Sequence, residues 1–290
     1  MSLTIGLIDY LNTMPFHYDL AARLQGTGVN FERGVPSALN HALAAGSVDL
    51  APISAIEAAR NADEVVVLPN LSIASFGAVK TVLLFSWASD IRDLDGQSIA
   101  LTNHSATSVA LLKVLCRERY GITPNFTTTP QHLPSMLAEH QGALVIGDDA
   151  LVESAHHRAL SGPHGVAGGL PYIYDLGDEW LKMTGLPFVF ALWAARRDTA
   201  SAMNEVGVFD ALYASTAVGT TDAAREELAD AYAPKLELPV GVCRRYLRDL
   251  RYDLTNDDLA GLKLFLELSL KDEGFTWDKL EFWPARELAI

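Results

Sequence analysis

The sequence predicts an α/β protein built as two lobes with a cleft between them. Strand-like and helix-like segments alternate along about two thirds of the chain, which is typical of largely parallel sheets covered by helices. The 290 residues also reach the length at which a single hydrophobic core stops growing. Two long extended segments bracket the middle of the chain, and they predict where it passes from one lobe to the other.

The first series of elements covers residues 3 to 88. Its predicted strands are 3–9, 29–35 and 48–54, followed by extended runs at 65–75 and 79–88. A helix is predicted over 36–46, because Pro36 suits the first helical turn and Gly46 suits the C-terminal stop. A second, short helix passes through Ile56 and Ala59.

A second series begins near Asp90. Its predicted strands are 98–102, 125–129 and 143–147, and its helices cover 106–121, 133–140, 148–160 and 175–185. A long strand follows at 187–196, and the remainder of the chain is predicted to be mainly helical. In that remainder, Thr255 is the predicted N-cap of a helix that has one leucine-rich face and ends at Gly274.

The extended segments 79–88 and 187–196 are interpreted as the two crossings between lobes. Lobe I then comprises 1–88 and 191–290, and lobe II is the inserted segment 89–190. This is the arrangement of a type II periplasmic-binding-protein-like fold, with mixed sheets flanked by helices and a two-stranded hinge. Helix N-termini and strand ends commonly face the ligand cleft of such proteins.

Composition and charge argue against several classes of function. The net charge of −14 argues against nucleic acid or an anionic membrane as partner. Cys116 and Cys243 are far apart with no CxxC pair, so neither a disulfide framework nor a metal site is predicted. No export signal or long apolar span is recognised, which predicts a cytoplasmic protein. The oligomeric state is left open.

Candidate site residues follow strand ends or turns. Asn12 follows the first strand, Ser54 ends the third, and Lys80 and Thr81 begin the run at 79–88. Each has a structural alternative: Asn12 as a turn former, Ser54 as a helix cap and Lys80 as an exposed charge.

The hydroxyl-rich turn at 102–108 precedes a helix whose free N–H groups suit an anion. Ser105 or Thr107 would cap that helix, a role compatible with binding a ligand. Asp148 either favours a helix N-terminus by charge or faces the ligand. His156 and His157 are adjacent on a polar helix and do not make a metal pair. GxGxxG, P-loop, GxSxG and HExxH motifs are all missing from the sequence.

Six segments in order resemble the chorismate dehydratase family of the futalosine route to menaquinone. They are IDYLNTMPF, GSVDLAPISAIE, SIASFGAVKTVLLFS, DLDGQSIALTNHSATSVALLKVL, ALVIGDDAL and YDLGDEWLKMTGLPFVFALW. The resemblance implies the two-lobed fold and a hydro-lyase reaction without cofactor. In that reaction chorismate, a dicarboxylate, loses water and becomes 3-[(1-carboxyvinyl)oxy]benzoate.

The resemblance also implies roles for individual residues. The family's cleft asparagine falls on Asn12 and its strand-start serine on Thr81, a departure that keeps the hydroxyl and adds a methyl group. These two are the predicted catalytic residues. The predicted substrate-binding residues are Ser54, Lys80, His104, Ser105, Thr107, Ser108 and Asp148.

The expected chemistry is loss of the C3 proton followed by loss of the C4 hydroxide. Asn, Ser and Thr have no useful pKa for a base, and His104 is the nearest conventional candidate, with a surface role as its alternative. We hypothesise that the substrate's own enolpyruvyl carboxylate takes the proton. A non-catalytic solute-binding or sensor protein for a small carboxylate is the alternative from another class. The related dihydroxynaphthoate-forming enzyme is a third interpretation, and the sequence lacks the Cys-Pro-Asn-Asp type of opening associated with it.

Overall fold

A computed structural model describes residues 3–161 and 169–284 of the protein. The strands are β1 (Thr4–Leu7), β2 (Asn30–Arg33), β3 (Leu50–Ser54), β4 (Val65–Ser75), β5 (Val82–Ser86), β6 (Ser98–Thr102), β7 (Asn125–Thr129), β8 (Gly142–Ile146), β9 (Tyr172–Asp175), β10 (Phe188–Arg196) and β11 (Leu250–Arg251). The helices are α1 (Met14–His17), α2 (Leu20–Arg23), α3 (Pro36–Ala45), α4 (Ala55–Arg60), α5 (Ala106–Val114), α6 (Leu133–Glu139), α7 (Gly147–Ser161), α8 (Leu176–Thr184), α9 (Arg197–Glu205), α10 (Val208–Gly219), α11 (Asp222–Tyr232), α12 (Val240–Asp249) and α13 (Asn256–Ser269).

The strands form two mixed sheets, as the sequence predicts. The first has the order β11-β4-β10-β3-β1-β2, with β1 parallel to β2 and β3, and β10 antiparallel to β3 and β4. The second has the order β7-β6-β8-β5-β9, with β6 parallel to β7 and β8, and β5 antiparallel to β8 and β9. Each sheet is the centre of one lobe.

The chain crosses between the sheets at 76–81 and returns at 176–187. Strand β5 therefore lies in the second sheet, whereas the predicted boundary at residue 88 assigned it to lobe I. The boundary at 190 is displaced in the same sense, because β10 begins at Phe188 in the first sheet. Both strands are largely buried apolar runs, and that pattern does not show which sheet a strand joins. We now propose the two crossings as the lobe boundaries; residues 1–2 and 285–290 of predicted lobe I lie outside the described residues.

A buried carboxylate joins the two crossings. Asp175 accepts hydrogen bonds from the N–H groups of Val79 at 3.0 Å and Lys80 at 2.6 Å on one crossing. It also accepts the N–H groups of Gly177 at 3.0 Å and Asp178 at 3.3 Å at the start of α8. These bonds hold Lys80 at a φ of 67°, a left-handed conformation that few non-glycine residues adopt.

The aromatic core near the hinge packs α8 and α13 against β10. Trp180, Phe188 and Phe265 are fully buried and meet edge to face, with centroid separations of 4.8 to 6.1 Å. The helix α13 begins with the predicted Thr255 cap, which forms a complete capping box. It ends at Ser269 instead of the predicted Gly274, which instead has a φ of 69° in the turn that follows.

Candidate active site

The cleft lies where the two lobes meet and encloses about 550 Å³ of empty space, part of it open to solvent. Its lining residues are Ile8, Tyr10, Asn12, Thr13, Pro36, Pro52, Ile53, Ser54, Ile73, Val79, Thr81, Val82, Ser105, Ser108, Ile146, Gly147, Phe190 and Ala191. Five of the nine predicted site residues therefore share one cleft: Asn12, Ser54, Thr81, Ser105 and Ser108.

Asn12 is held by a single turn of 3-10 helix that follows β1. The hydroxyl of Thr13 fixes this turn, since it lies 2.6 Å from the Ile8 carbonyl oxygen and 2.8 Å from the Tyr10 carbonyl oxygen. The Oδ1 atom of Asn12 is buried and has no hydrogen-bond partner among the described residues. A buried acceptor without a partner costs about 1–3 kcal/mol, so Asn12 is prepared for a donor that a ligand supplies.

Thr81 stands at the start of β5, where the first crossing enters the second lobe. Its side chain is buried, and its Oγ1 lies 2.9 Å from the hydroxyl of Tyr246 on α12. Its carbonyl accepts a hydrogen bond from Gly147 N at 2.9 Å. The hydroxyl that the family resemblance requires is therefore present in the cleft and oriented by a second hydroxyl.

The α5 N-terminus contributes hydroxyls and backbone donors. Ser105 is the N-cap: its Oγ accepts the N–H of Ser108 at 3.2 Å and donates to the Ser108 hydroxyl at 3.0 Å. The Ser108 hydroxyl consequently keeps its own hydrogen for another acceptor. Ser105 thus caps α5 and also lines the cleft, as the sequence predicted for this turn.

Ser54 is fixed by α3 across the first sheet. Its N–H donates to Asn40 Oδ1 at 3.1 Å, and its hydroxyl accepts from Asn40 Nδ2 at 3.3 Å. Ser54 occupies the N-cap position of α4 without a side-chain capping bond. That bond comes from the other lobe instead, because Thr107 Oγ1 accepts the N–H of Ile56 at 3.3 Å.

Four predicted residues are absent from the cleft wall, and three of them bridge the lobes. Thr107 makes the contact to α4 just described. His104 Nδ1 lies 3.4 Å from the Tyr10 hydroxyl, and its carbonyl accepts the N–H of Ser37 at 3.2 Å. The Asp148 carboxylate accepts the N–H of Leu11 at 3.0 and 3.2 Å. These contacts describe a closed cleft.

Lys80 is the fourth. Its ammonium group pairs with Asp249 and faces a separate cavity between α7 and α12. The left-handed backbone of Lys80 accounts for this direction, which strand periodicity could not predict.

The electrostatics of the cleft are unusual for an anion site. As far as the structure describes the chain, the lining side chains include no carboxylate, imidazole or amine. Tyr10 is the lining residue that can titrate, and burial, with the charges of Asp149 and Asp148, raises its pKa above the usual range. Behind the wall, burial raises the pKa of Asp148 to about 6, opposed by the Leu11 N–H and reinforced by Asp149. A ligand would thus meet neutral hydroxyl, amide and N–H groups.

Sequence reasoning missed two tyrosines. Tyr10 lies two residues before Asn12 in the same motif, so its proximity to the cleft could have been inferred. Tyr246 is 165 positions from its partner Thr81, and no local pattern joins them.

In residues 3–161 and 169–284, no cluster of three or more His, Cys, Asp or Glu side chains is suited to a metal ion. None of the helices in these ranges combines the length and apolar character needed to cross a membrane. Cys116 and Cys243 are both buried and unpaired, and burial raises the pKa of Cys116 to about 12.

The two mixed sheets and the cleft between them form a periplasmic-binding-protein-like fold. It is similar to the alkanesulfonate-binding protein SsuA from Xanthomonas axonopodis pv. citri bound to MOPS, with a TM-score of 0.68, 16% identity and 98% of both chains covered. The periplasmic aliphatic sulphonate binding protein SsuA from Escherichia coli has a TM-score of 0.66 and 17% identity, over 98% of this chain and 92% of the other.

Sequence comparison is more specific. The sequence model of a family described as menaquinone biosynthesis matches residues 3–271, and the chain belongs to that family. A chorismate dehydratase from Thermus thermophilus is 34% identical over 267 residues, 91% of this chain and 93% of the relative. Another from Campylobacter jejuni is 32% identical over 193 residues, 65% of this chain and 66% of the relative. The resemblance drawn from the sequence is confirmed.

Proposed function

We propose that this protein is a chorismate dehydratase, a hydro-lyase that converts chorismate to 3-[(1-carboxyvinyl)oxy]benzoate and water. The observation that carries the proposal is the cleft in which Asn12, Thr81 and the α5 N-terminus meet without a charged side chain. Identity of 34% to a chorismate dehydratase over 91% of the chain supports the same activity.

The proposed reaction begins with loss of the C3 proton of chorismate. This carbon is the vinylogue of the position α to the ring carboxylate, so the electron pair left behind spreads onto that carboxylate. The C4–O bond then breaks, the hydroxyl leaves as hydroxide, and the ring becomes aromatic. The proton from C3 and the hydroxide together make the water that is released.

The α5 N-terminus is the proposed holder of the ring carboxylate. Its first-turn N–H groups and the Ser108 hydroxyl point donors at the charge that grows as the C3 proton leaves. Ser54, fixed by Asn40, and Ser105 complete this wall of hydroxyls. Donors that are already oriented need no reorganisation during the reaction, which is why neutral groups suffice in a closed cleft.

Asn12 and Thr81 are the proposed contacts of the departing C4 hydroxyl. The unpartnered Oδ1 of Asn12 accepts the hydrogen of that hydroxyl, and the Thr81 hydroxyl donates to its oxygen. Neither side chain ionises near neutral pH, so both act by orientation.

The base in this scheme is the enolpyruvyl carboxylate of the substrate. The lining side chains offer no conventional base, and His104 is engaged outside the wall with Tyr10 and Ser37. Holding the substrate carboxylate beside C3 makes proton transfer intramolecular, which can be worth ~7–11 kcal/mol.

The test is incubation of the purified protein with chorismate, without added metal or nucleotide, followed by mass spectrometry. A product lighter by one water, with the ultraviolet spectrum of a benzoate, is expected. Asn12→Ala is expected to abolish turnover, and Lys80→Ala, which changes a residue outside the cleft, is the matched control. Chorismate in which the enolpyruvyl carboxylate is masked as a methyl ester should bind and remain unchanged.

Two results would contradict the proposal. Unchanged chorismate that raises the melting temperature would indicate a solute-binding protein. Loss of turnover in His104→Ala, with product affinity intact, would assign the base to the protein and not to the substrate. The cytoplasmic location predicted from the sequence belongs to the same proposal, and fractionation of the native cells tests it.

A further inference from the structure

Tyr246 is a buried polar residue whose hydroxyl contacts Thr81 of the candidate active site. It is 1% exposed, on α12 of the first lobe, and its hydroxyl lies 2.9 Å from Thr81 Oγ1. Burial raises its pKa well above the usual value, and hydrogen bonding to Thr81 opposes that rise. The phenol therefore contacts a proposed catalytic residue from behind the cleft wall.

The direction of the Thr81–Tyr246 hydrogen bond follows from the other contact of Thr81. Either hydroxyl of the pair could donate. Thr81 Oγ1 also donates to the Val79 carbonyl at 3.5 Å. Because a hydroxyl has a single hydrogen, the phenol donates to Thr81 while Thr81 donates to Val79.

The bond from Thr81 to Val79 is weak, because 3.5 Å is at the outer limit of a hydrogen bond. An acceptor bound in the cleft can take the Thr81 hydrogen in place of the Val79 carbonyl, and Asn12 Oδ1, unpartnered among the described residues, can accept from a donor.

We propose that Tyr246 is a positioning residue that orients the Thr81 hydroxyl by donating a hydrogen bond to it. Thr81 is thereby left as the donor to the oxygen of the leaving hydroxyl. The inference rests on the proposed function. Without the phenolic hydroxyl, the Thr81 side chain loses its 2.9 Å contact and is free to rotate away from the cleft.

The experiment uses Tyr246→Phe, which keeps the buried ring and removes the hydroxyl. We expect kcat to fall about 10- to 100-fold, as for loss of one oriented hydrogen bond in the transition state, with KM changed less than about 3-fold. The double variant Tyr246→Phe, Thr81→Ala is expected to be no slower than Thr81→Ala alone, because Tyr246 acts through Thr81.

Tyr213→Phe is the matched control. Its hydroxyl donates to the Pro69 carbonyl at 2.6 Å, away from the cleft, so its loss should lower the melting temperature without lowering kcat. A folded Tyr246→Phe protein with unchanged kcat overturns the inference. So does a double variant in which the two losses multiply, since that would show independent roles.

Calorimetry separates this inference from the proposed function. If the wild type binds chorismate without converting it, the dehydratase proposal fails and the inference about Tyr246 is judged by affinity. Tyr246→Phe should then bind chorismate more weakly than the wild type, and the double variant should bind no more weakly than Thr81→Ala alone. A wild type that neither binds nor converts chorismate overturns both.

Discussion

Asp148 should make the stability of the closed protein depend on pH. Its carboxylate crosses the cleft to the Leu11 N–H, and burial raises its pKa from 3.8 to about 6. A carboxyl group whose pKa is higher in the folded state binds a proton more tightly there. Its contribution to stability is full below the unfolded pKa and is lost as the pH rises through the folded pKa.

The magnitude follows from these two pKa values. Between about pH 7.5 and about pH 5, the folded protein takes up most of one proton at Asp148 while the unfolded chain takes up little. The free energy of unfolding should therefore rise by about 1 to 2 kcal/mol from this group on acidification. Asp148→Asn keeps an oxygen for the Leu11 N–H and removes the titration, so it should lack this gain.

The measurement is urea unfolding followed by tryptophan fluorescence for wild type and Asp148→Asn across that pH range. The difference between the two free energies isolates Asp148 because all other groups titrate in both proteins. Asp149→Asn, an exposed carboxylate in the same helical turn, should retain most of the wild-type pH dependence because burial is the largest cause of the shift. A constant difference between wild type and Asp148→Asn would refute the reasoning and indicate a hydrated Asp148 in an open cleft.

Three further predictions concern other parts of the molecule. Burial lowers the pKa of His17 to about 3 from 6.5, with Arg33 adding to the shift, so its stabilising contribution is lost as the pH falls below 6.5. The wild type should lose about 2 kcal/mol from this group between about pH 7.5 and about pH 5, and His17→Phe should not, as urea titrations will show. A Cβ at Gly219 would lie 2.0 Å from the Pro15 carbonyl oxygen, so Gly219→Ala should cost about 3 kcal/mol or more in the same assay, whereas Gly241→Ala meets only ordinary contacts and should not. Lys80→Ala should leave kcat and KM within about 2-fold and stability within about 1 kcal/mol, because its exposed ion pair with Asp249 lies outside the cleft; a large kinetic loss would return Lys80 to the site.

Much of the fold was predictable from the sequence, because the residues that begin and end helices act locally. The helix over Pro36–Ala45 ends at a left-handed Gly46, and Thr255 forms the predicted cap of α13. The alternation of strand-like and helix-like segments predicted mixed sheets, and the structure has two of them. The assignment of β5 to a sheet failed, because strand pairing between Leu83 and either β8 or β9 depends on contacts distant in sequence.

The candidate site was predicted only in part, because it too depends on contacts between residues that are distant in sequence. Residues at strand ends and at the α5 N-terminus reached the cleft, since those positions meet in any fold of this kind. Thr107 and Asp148 lie in the same kinds of turn, yet their side chains bind Ile56 and Leu11 of the opposite lobe. Whether a side chain contacts its own lobe or the opposite one depends on how the two lobes pack together, and a local sequence pattern does not predict that packing.

The carboxylate of Asp175 has a consequence for how the protein cycles. It binds N–H groups of both crossings at once, from Val79 and Lys80 on one side and from Gly177 and Asp178 on the other. Sliding one crossing along the other would break these four hydrogen bonds. Asp175 therefore ties the two crossings into one unit, and a movement of the lobes that keeps these bonds has to carry both crossings together.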